Sequence, residues 1–113
     1  MRRRALLLGL TGVWLVACGG GEDRGARARH MVDDGATLLD VRSVGEWSGG
    51  HIEGALHIPV SELSSRIAEV PSGAPVVVYC QSGVRSAMAA QLLESEGYEV
   101  FDLGSMRDWS AGR

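Results

Sequence analysis

The 113-residue chain contains no lysine and no asparagine, and it has two cysteines, three prolines, one phenylalanine and only 5% aromatic residues. The missing lysine and asparagine, set against abundant Gly, Ala, Val and Arg, match the codon bias of a GC-rich genome and carry no functional information. At about 100–200 residues per domain the chain holds one domain, which excludes a two-domain enzyme. Basic charge is scarce where a nucleic-acid surface would need it. All eleven basic residues are arginine, and Arg2, Arg3, Arg4, Arg24, Arg27 and Arg29 fall in the first thirty positions. The remainder is mostly acidic and offers no basic face, so no nucleic-acid partner is expected. Long hydrophobic runs are missing as well: Ala5 to Ala17 spans thirteen residues, whereas a transmembrane helix needs about 20.

That run follows Arg2-Arg3-Arg4 and ends in Leu15-Val16-Ala17-Cys18 before Gly19-Gly20-Gly21, the order of a charged n-region, a short apolar h-region and a small-residue cleavage site. It resembles the lipobox of bacterial lipoproteins, in which the cysteine is acylated. Residues 1–17 are then a signal peptide, residues 18–27 a lipidated N-terminus and flexible Gly-, Arg- and acid-rich tether, and residues 28–113 the folded domain. In an ordinary cleaved signal or an uncleaved anchor, Cys18 would be only a small residue at the end of the apolar run. Cleavage before Cys18 leaves eight basic against fourteen acidic residues, a formal charge of −6, so acyl chains rather than charge would hold the protein to lipid. The expected location is the bacterial cell envelope, anchored to a membrane and facing the periplasm or the exterior.

Beyond the tether, Thr37-Leu38-Leu39-Asp40-Val41 and Pro75-Val76-Val77-Val78-Tyr79-Cys80 read as buried strands, with Ala55 to Ile58 and Tyr98 to Phe101 as weaker candidates. Helical patterns lie between them. One runs from Val60 to Val70, with Leu63, Ile67 and Val70 on a shared face. A second runs from Arg85 to Glu96, where Val84, Met88 and Leu92 fall at i, i+4 and i+8 beside Ala89 and Leu93, and Gly97 supplies the stop. Alternating strands and helices predict an α/β fold with a mostly parallel sheet flanked by helices on both faces.

Open parallel sheets bind ligands outside the carboxyl ends of their strands. Cys80 sits at such an end, and Gln81-Ser82-Gly83-Val84-Arg85-Ser86 passes from it straight into a helix. The turn should aim several backbone N–H groups and a helix N-terminus at one point, an anion pocket that favours a thiolate. Gly83 lets the loop close tightly, and Arg85 offers donors to an oxyanion. An inert buried thiol is the bland alternative.

The loop from Cys80 to Ser86 resembles the active-site loop of rhodanese domains, bracketed by cysteine and arginine. Leu38-Leu39-Asp40-Val41-Arg42 followed by Glu46-Trp47, Gly50-His51-Ile52-Glu53-Gly54-Ala55 running into Ile58-Pro59, and Leu103-Gly104-Ser105-Met106 with Trp109 agree in order and spacing. The resemblance implies a rhodanese-like fold and sulfur transfer from thiosulfate or a similar donor to cyanide or a thiol, through a persulfide on Cys80. Gln81, Ser82, Gly83, Val84, Arg85 and Ser86 would bind substrate, with Arg85 on the sulfonate; Asp40, Arg42 and Glu46 would support the loops beneath. Gln81 stands where thiosulfate-specific members often carry arginine, and Ser105 where a second glycine is usual.

A rhodanese-related cysteine phosphatase or arsenate reductase needs five residues between cysteine and arginine; here there are four, and the position required to be arginine is Ser86. A catalytically idle module that only binds a partner at the membrane would not need the retained Cys80 and Arg85. No cofactor and no metal is expected, since His51 and His57 are not placed as a ligand pair, and Trp47 and Trp109 are expected to pack. With Cys18 acylated, Cys80 is the sole thiol, which excludes a dithiol redox role. The protein is expected to be a monomer whose partners are the small-molecule donor and acceptor and, through its anchor, the membrane.

Overall fold

In a computed structural model, which describes residues 23–111, the two apolar runs become neighbouring strands at the centre of one sheet. The elements in order are α1 (Arg24–Asp33), β1 (Thr37–Asp40), α2 (Val44–Ser48), β2 (Leu56–His57), α3 (Val60–Leu63), β3 (Val76–Cys80), α4 (Val84–Ser95) and β4 (Val100–Ser105). Short 3₁₀ segments follow α3 (Ser64–Glu69) and β4 (Met106–Trp109). The strands run parallel in the order β2-β1-β3-β4, with Asp40 opposite Tyr79 and Cys80 opposite Ser105. The expected signal peptide, Cys18 and residues 19–22 of the tether lie outside the described residues.

All five residues of β3 are buried, which is why its sequence is continuously apolar rather than alternating. Successive side chains point to opposite faces. Leu39, Val76, Val78 and Cys80 therefore join Leu63, Ala89 and Leu93 on the α3–α4 side, while Leu38, Val77, Tyr79 and Leu103 pack on the α1 side. Helices cover both faces.

Four expectations are corrected in detail. The helix α1 starts at Arg24, inside the segment read as tether, with the Asp23 side chain accepting from Ala26 N at 3.0 Å. It shows no apolar stripe because it docks through Gly25 and Ala28 and through arginines: Arg24 and Arg27 lie over the Phe101 ring, and Arg24 also donates to the Asp102 carbonyl. Gly25 is indispensable there, since a Cβ would sit 2.0 Å from the Asp108 carbonyl oxygen. The second correction is the phase of α4. Its buried residues are Ser86, Ala89, Ala90 and Leu93, while Val84 and Met88, read as part of the core face, are 67% and 59% exposed. Small side chains let the helix approach the sheet closely, and the turn after Cys80 fixes its rotation. Third, the helix expected over Val60 to Val70 stops at Leu63 and continues as 3₁₀ turns with a kink at Arg66, yet Leu63, Ile67 and Val70 still pack together. Finally, β4 is displaced along the chain from Tyr98–Phe101 to Val100–Ser105, with a register shift opposite Val78 and Tyr79. The positive φ in that strand falls on Gly104 (90°), while Ser105 has φ −85°, so the serine at that position is unstrained.

Candidate active site

Central β3 ends by delivering Cys80 into a turn that becomes α4 within four residues. Gly83 is the N-cap, with φ 105°, a left-handed conformation that turns the chain back over the sulfur. No side chain caps this helix end. Its N–H groups are instead directed at Cys80 Sγ, which accepts from Gly83 N at 2.9 Å and Ser86 N at 3.3 Å. Burial pushes the thiol up, but hydrogen bonds from the Ser86 N–H and hydroxyl, and from the Gly83 and Ser82 N–H groups, outweigh it. The net shift is below the ordinary cysteine value. The Ser86 hydroxyl has one proton and also lies 3.0 Å from the Gly83 carbonyl, so it ties the loop to itself or to the thiolate.

Gln81, Ser82 and Val84 are exposed, Gly83 and Arg85 half-buried, and Ser86 buried. Arg85 is not a free fork. Its Nη1 and Nη2 donate to Glu46 Oε1 and Oε2 at 2.7 and 3.0 Å. Glu46 is oriented in turn by a capping box at the start of α2: Ser43 Oγ accepts from Glu46 N, and Glu46 Oε1 accepts from Ser43 N and Oγ at 3.0 Å. Arg85 first and then the Ser43 N–H hold the Glu46 carboxyl down at about 2.

Asp40 and Arg42 form a buried pair at the end of β1. Arg42 Nη2 lies 2.7 Å from Asp40 Oδ2, and Nε and the backbone N–H also donate to the carboxylate. Burial raises the Asp40 carboxyl, but the hydrogen bonds from Arg42 and Tyr79 bring it below its usual range. Arg42 spans onward to the Gly50 carbonyl (2.8 Å) and Gln81 Oε1 (3.3 Å). Tyr79, in sequence only one residue of a buried strand, completes the cluster by donating to Asp40 Oδ2 at 2.7 Å while accepting from Ile52 N at 3.2 Å. Nothing in the sequence marks that role except a phenol in an otherwise aliphatic strand.

The structure also gathers Trp47, His51 and His57, which lay apart in the sequence reading. The indole stacks with the His51 ring, 3.4 Å away between centroids, and with the His57 ring at 4.6 Å. His57 Nε2 donates to the Arg42 carbonyl, and His51 Nδ1 to that of Trp47. Trp109 packs half-buried on the α1 side. A cavity of about 370 Å³ lined by Ile67, Pro75, Glu96, Tyr98 and Glu99 lies at the opposite end of the sheet, where β3 begins. It contains no nucleophile comparable to Cys80.

The chain resembles several known proteins. It is 33% identical over 84 residues to the thiosulfate sulfurtransferase GlpE of Pseudomonas fluorescens, covering 73% of this chain and 77% of that one. It is 46% identical over 76 residues to the Bacillus subtilis protein YqhL, covering 66% of this chain and 60% of YqhL. A putative sulfur carrier protein of the same organism, YrkF, is 35% identical, covering 69% of this chain and 43% of YrkF. The chain thus spans less than two thirds of the length of each of these two Bacillus relatives. Among solved structures, a human single-domain sulfurtransferase superposes with a TM-score of 0.59 at 34% identity, covering 78% of this chain and 93% of that one. The rhodanese-like domain profile matches residues 24–112, and the chain belongs to the rhodanese-like domain family.

Proposed function

We propose that the protein is a sulfurtransferase that moves sulfane sulfur from thiosulfate or a similar donor to a thiophilic acceptor such as cyanide or a thiol, through a persulfide on Cys80. The observation that carries this reading is the sulfur at the end of β3 accepting backbone N–H bonds from Gly83 and Ser86. The Cys80 thiolate attacks the outer sulfur of the donor; with thiosulfate the S–S bond breaks, its electron pair leaves with sulfite, and the transferred sulfur stays on Cys80 as a persulfide anion. An acceptor nucleophile then takes that sulfur and returns the thiolate. Both steps keep negative charge on sulfur inside one cradle of fixed donors, so little reorganisation is needed as the reaction proceeds. A thiolate already favoured by its surroundings dispenses with a general base.

The reading includes a lipid anchor on Cys18 and a place in the cell envelope, supported by the order of the n-region, h-region and lipobox in residues 1–18. The test of the chemistry is intact-mass analysis after incubation with sulfane-sulfur donors. The protein should gain one sulfur atom, cyanide should remove it as thiocyanate, and Cys80→Ser should never acquire it. A folded wild type that takes sulfur from no donor would instead be a binding module.

A further inference from the structure

The charge of the domain is divided along the strand direction. Because α1 and α4 run back against the strands, their last residues and the turn into β4 meet where the strands begin. Asp33, Asp34, Glu69, Glu94, Glu96 and Glu99 all lie at that end and all are exposed. The arginine beside them, Arg66, already gives its guanidinium to Glu62 and Glu69. The carboxyl end of the sheet is different. Arg42 and Arg85 cancel Asp40 and Glu46 there. Arg24, Arg27 and Arg107 are exposed and, among the described residues, have no carboxylate partner, so they offset Asp23, Glu53 and Asp108 and leave this end close to neutral. The large apolar side chains that stay exposed also collect on this side: Val44 opens α2 just past β1, Val84 opens α4 just past Cys80, and Met88 follows one turn on. The helix α1 begins here too, with Gly25 against the Asp108 carbonyl beyond β4. Cys18 lies six residues before Arg24, so a fully extended chain between them spans at most about 20 Å. An anchor on Cys18 therefore attaches the domain by its neutral, apolar-edged end and leaves the acidic end farthest from the lipid.

We propose that the domain rests on an anionic phospholipid surface with the carboxyl end of its sheet, and with it Cys80, turned toward the headgroups and its acidic end turned to the water. This rests on the Cys18 anchor included in the reading above and adds an orientation to it. The acyl chains hold the protein, and the division of charge points it. Negative headgroups repel the acidic end wherever it comes within a Debye length, about 8–10 Å. At the opposite end Val44 and Val84 gain by leaving water for the interface, while Arg24, Arg27 and Arg107 can donate to lipid phosphates. Donor and acceptor then reach Cys80 from along the membrane surface.

The test uses the mature lipidated protein, purified from membranes and reconstituted on vesicles of phosphatidylcholine with or without phosphatidylglycerol, a fraction of the headgroups carrying a nitroxide quencher. In a Cys80→Ser background, Val44→Cys or Glu96→Cys receives a single thiol-reactive fluorophore; both positions are exposed, at opposite ends of the sheet. On anionic vesicles the label at position 44 should lose most of its emission and the label at position 96 little. Raising the salt, or adding Glu94→Gln and Glu99→Gln, should narrow that contrast. Equal quenching, or more at position 96, overturns the orientation, and a contrast of the same size without phosphatidylglycerol overturns the part assigned to charge. Flotation is read on the same samples. Protein that floats with the vesicles but shows no contrast keeps its anchor and loses the proposal, whereas a protein that stays in solution, as Cys18→Ala should, removes both.

Discussion

Replacing Tyr79 with phenylalanine deletes one oxygen from the middle of the protein and keeps the ring. That oxygen makes two contacts: it donates to Asp40 Oδ2 at 2.7 Å and accepts from Ile52 N at 3.2 Å, all three residues being buried. Burial, and then the neighbouring Asp40, pushes the phenol above its ordinary value, so it is a neutral donor near neutral pH. A hydrogen bond to a charged group contributes about 1.5–3 kcal/mol, and a buried amide stripped of its acceptor costs about 1–3 kcal/mol. Asp40 retains its bonds from Arg42, which softens the first loss, so the combined destabilisation should be about 2–4 kcal/mol. In a domain of this size each kcal/mol moves Tm by about 4–8 °C, so melting should fall by roughly 8–32 °C. Urea titration should show a lower midpoint at unchanged slope. The pH dependence gives a second check. Asp40 has a depressed carboxyl, so its contribution is present above the unfolded carboxylate value and is lost as pH falls through the folded one. Since the phenol stabilises only the ionised form, the gap between wild type and Tyr79→Phe should narrow in acid. A loss below about 0.5 kcal/mol near neutral pH would refute the reasoning, because a surface substitution does as much.

The Cys80 thiol should alkylate with iodoacetamide along a pH profile whose midpoint lies below the ~8.5 of a free cysteine, and denaturant should restore that value. A native midpoint at or above it would remove the thiolate from the mechanism. Cells fed a radioactive fatty acid should label the wild type and not Cys18→Ala; label in both, or in neither, would end the lipoprotein reading.

How much of this was legible in the sequence depended on what each residue answers to. The strand Val76 to Cys80 was legible because burial on both faces leaves a continuous apolar run, and the loop after it because a strand end, a glycine and a helix start are local in sequence. The rotation of α4 was not, because hydrophobic periodicity favours Val84 and Met88 whereas the helix is phased by its first turn. Ser86 N must reach the Cys80 sulfur, and that requirement turns Ala89, Ala90 and Leu93 inward. The start of α1 was hidden for a related reason, since arginine stems and carbonyl contacts hold it where a hydrophobic stripe would normally be sought. The fold class needed only patterns. The partner of Arg85 is thirty-nine positions away in the chain, and no local rule could have supplied it, although the Ser43–Glu46 capping box that orients that partner is written in four consecutive residues.

The way charge is stored around Cys80 separates two jobs that a loop arginine could otherwise be asked to share. Stabilising the thiolate falls to the backbone: of the groups that lower the Cys80 thiol, Ser86 and Gly83 act through N–H bonds whose direction is set by one left-handed glycine. At Gly83 the requirement is conformation rather than space, because an added Cβ would meet only Gly104 Cα, at 3.8 Å, an ordinary contact. Shaping the mouth falls to the side-chain pairs. Arg85 with Glu46 fastens the start of α4 to α2, and Arg42 with Asp40 fastens the end of β1 to Gly50 and Gln81, so the loop is held from two sides by groups that cancel each other's charge. A guanidinium bound this way contributes geometry at the cost of its reach for an anion. The cradle can therefore favour a thiolate while the side-chain pairs add no net positive charge at the mouth.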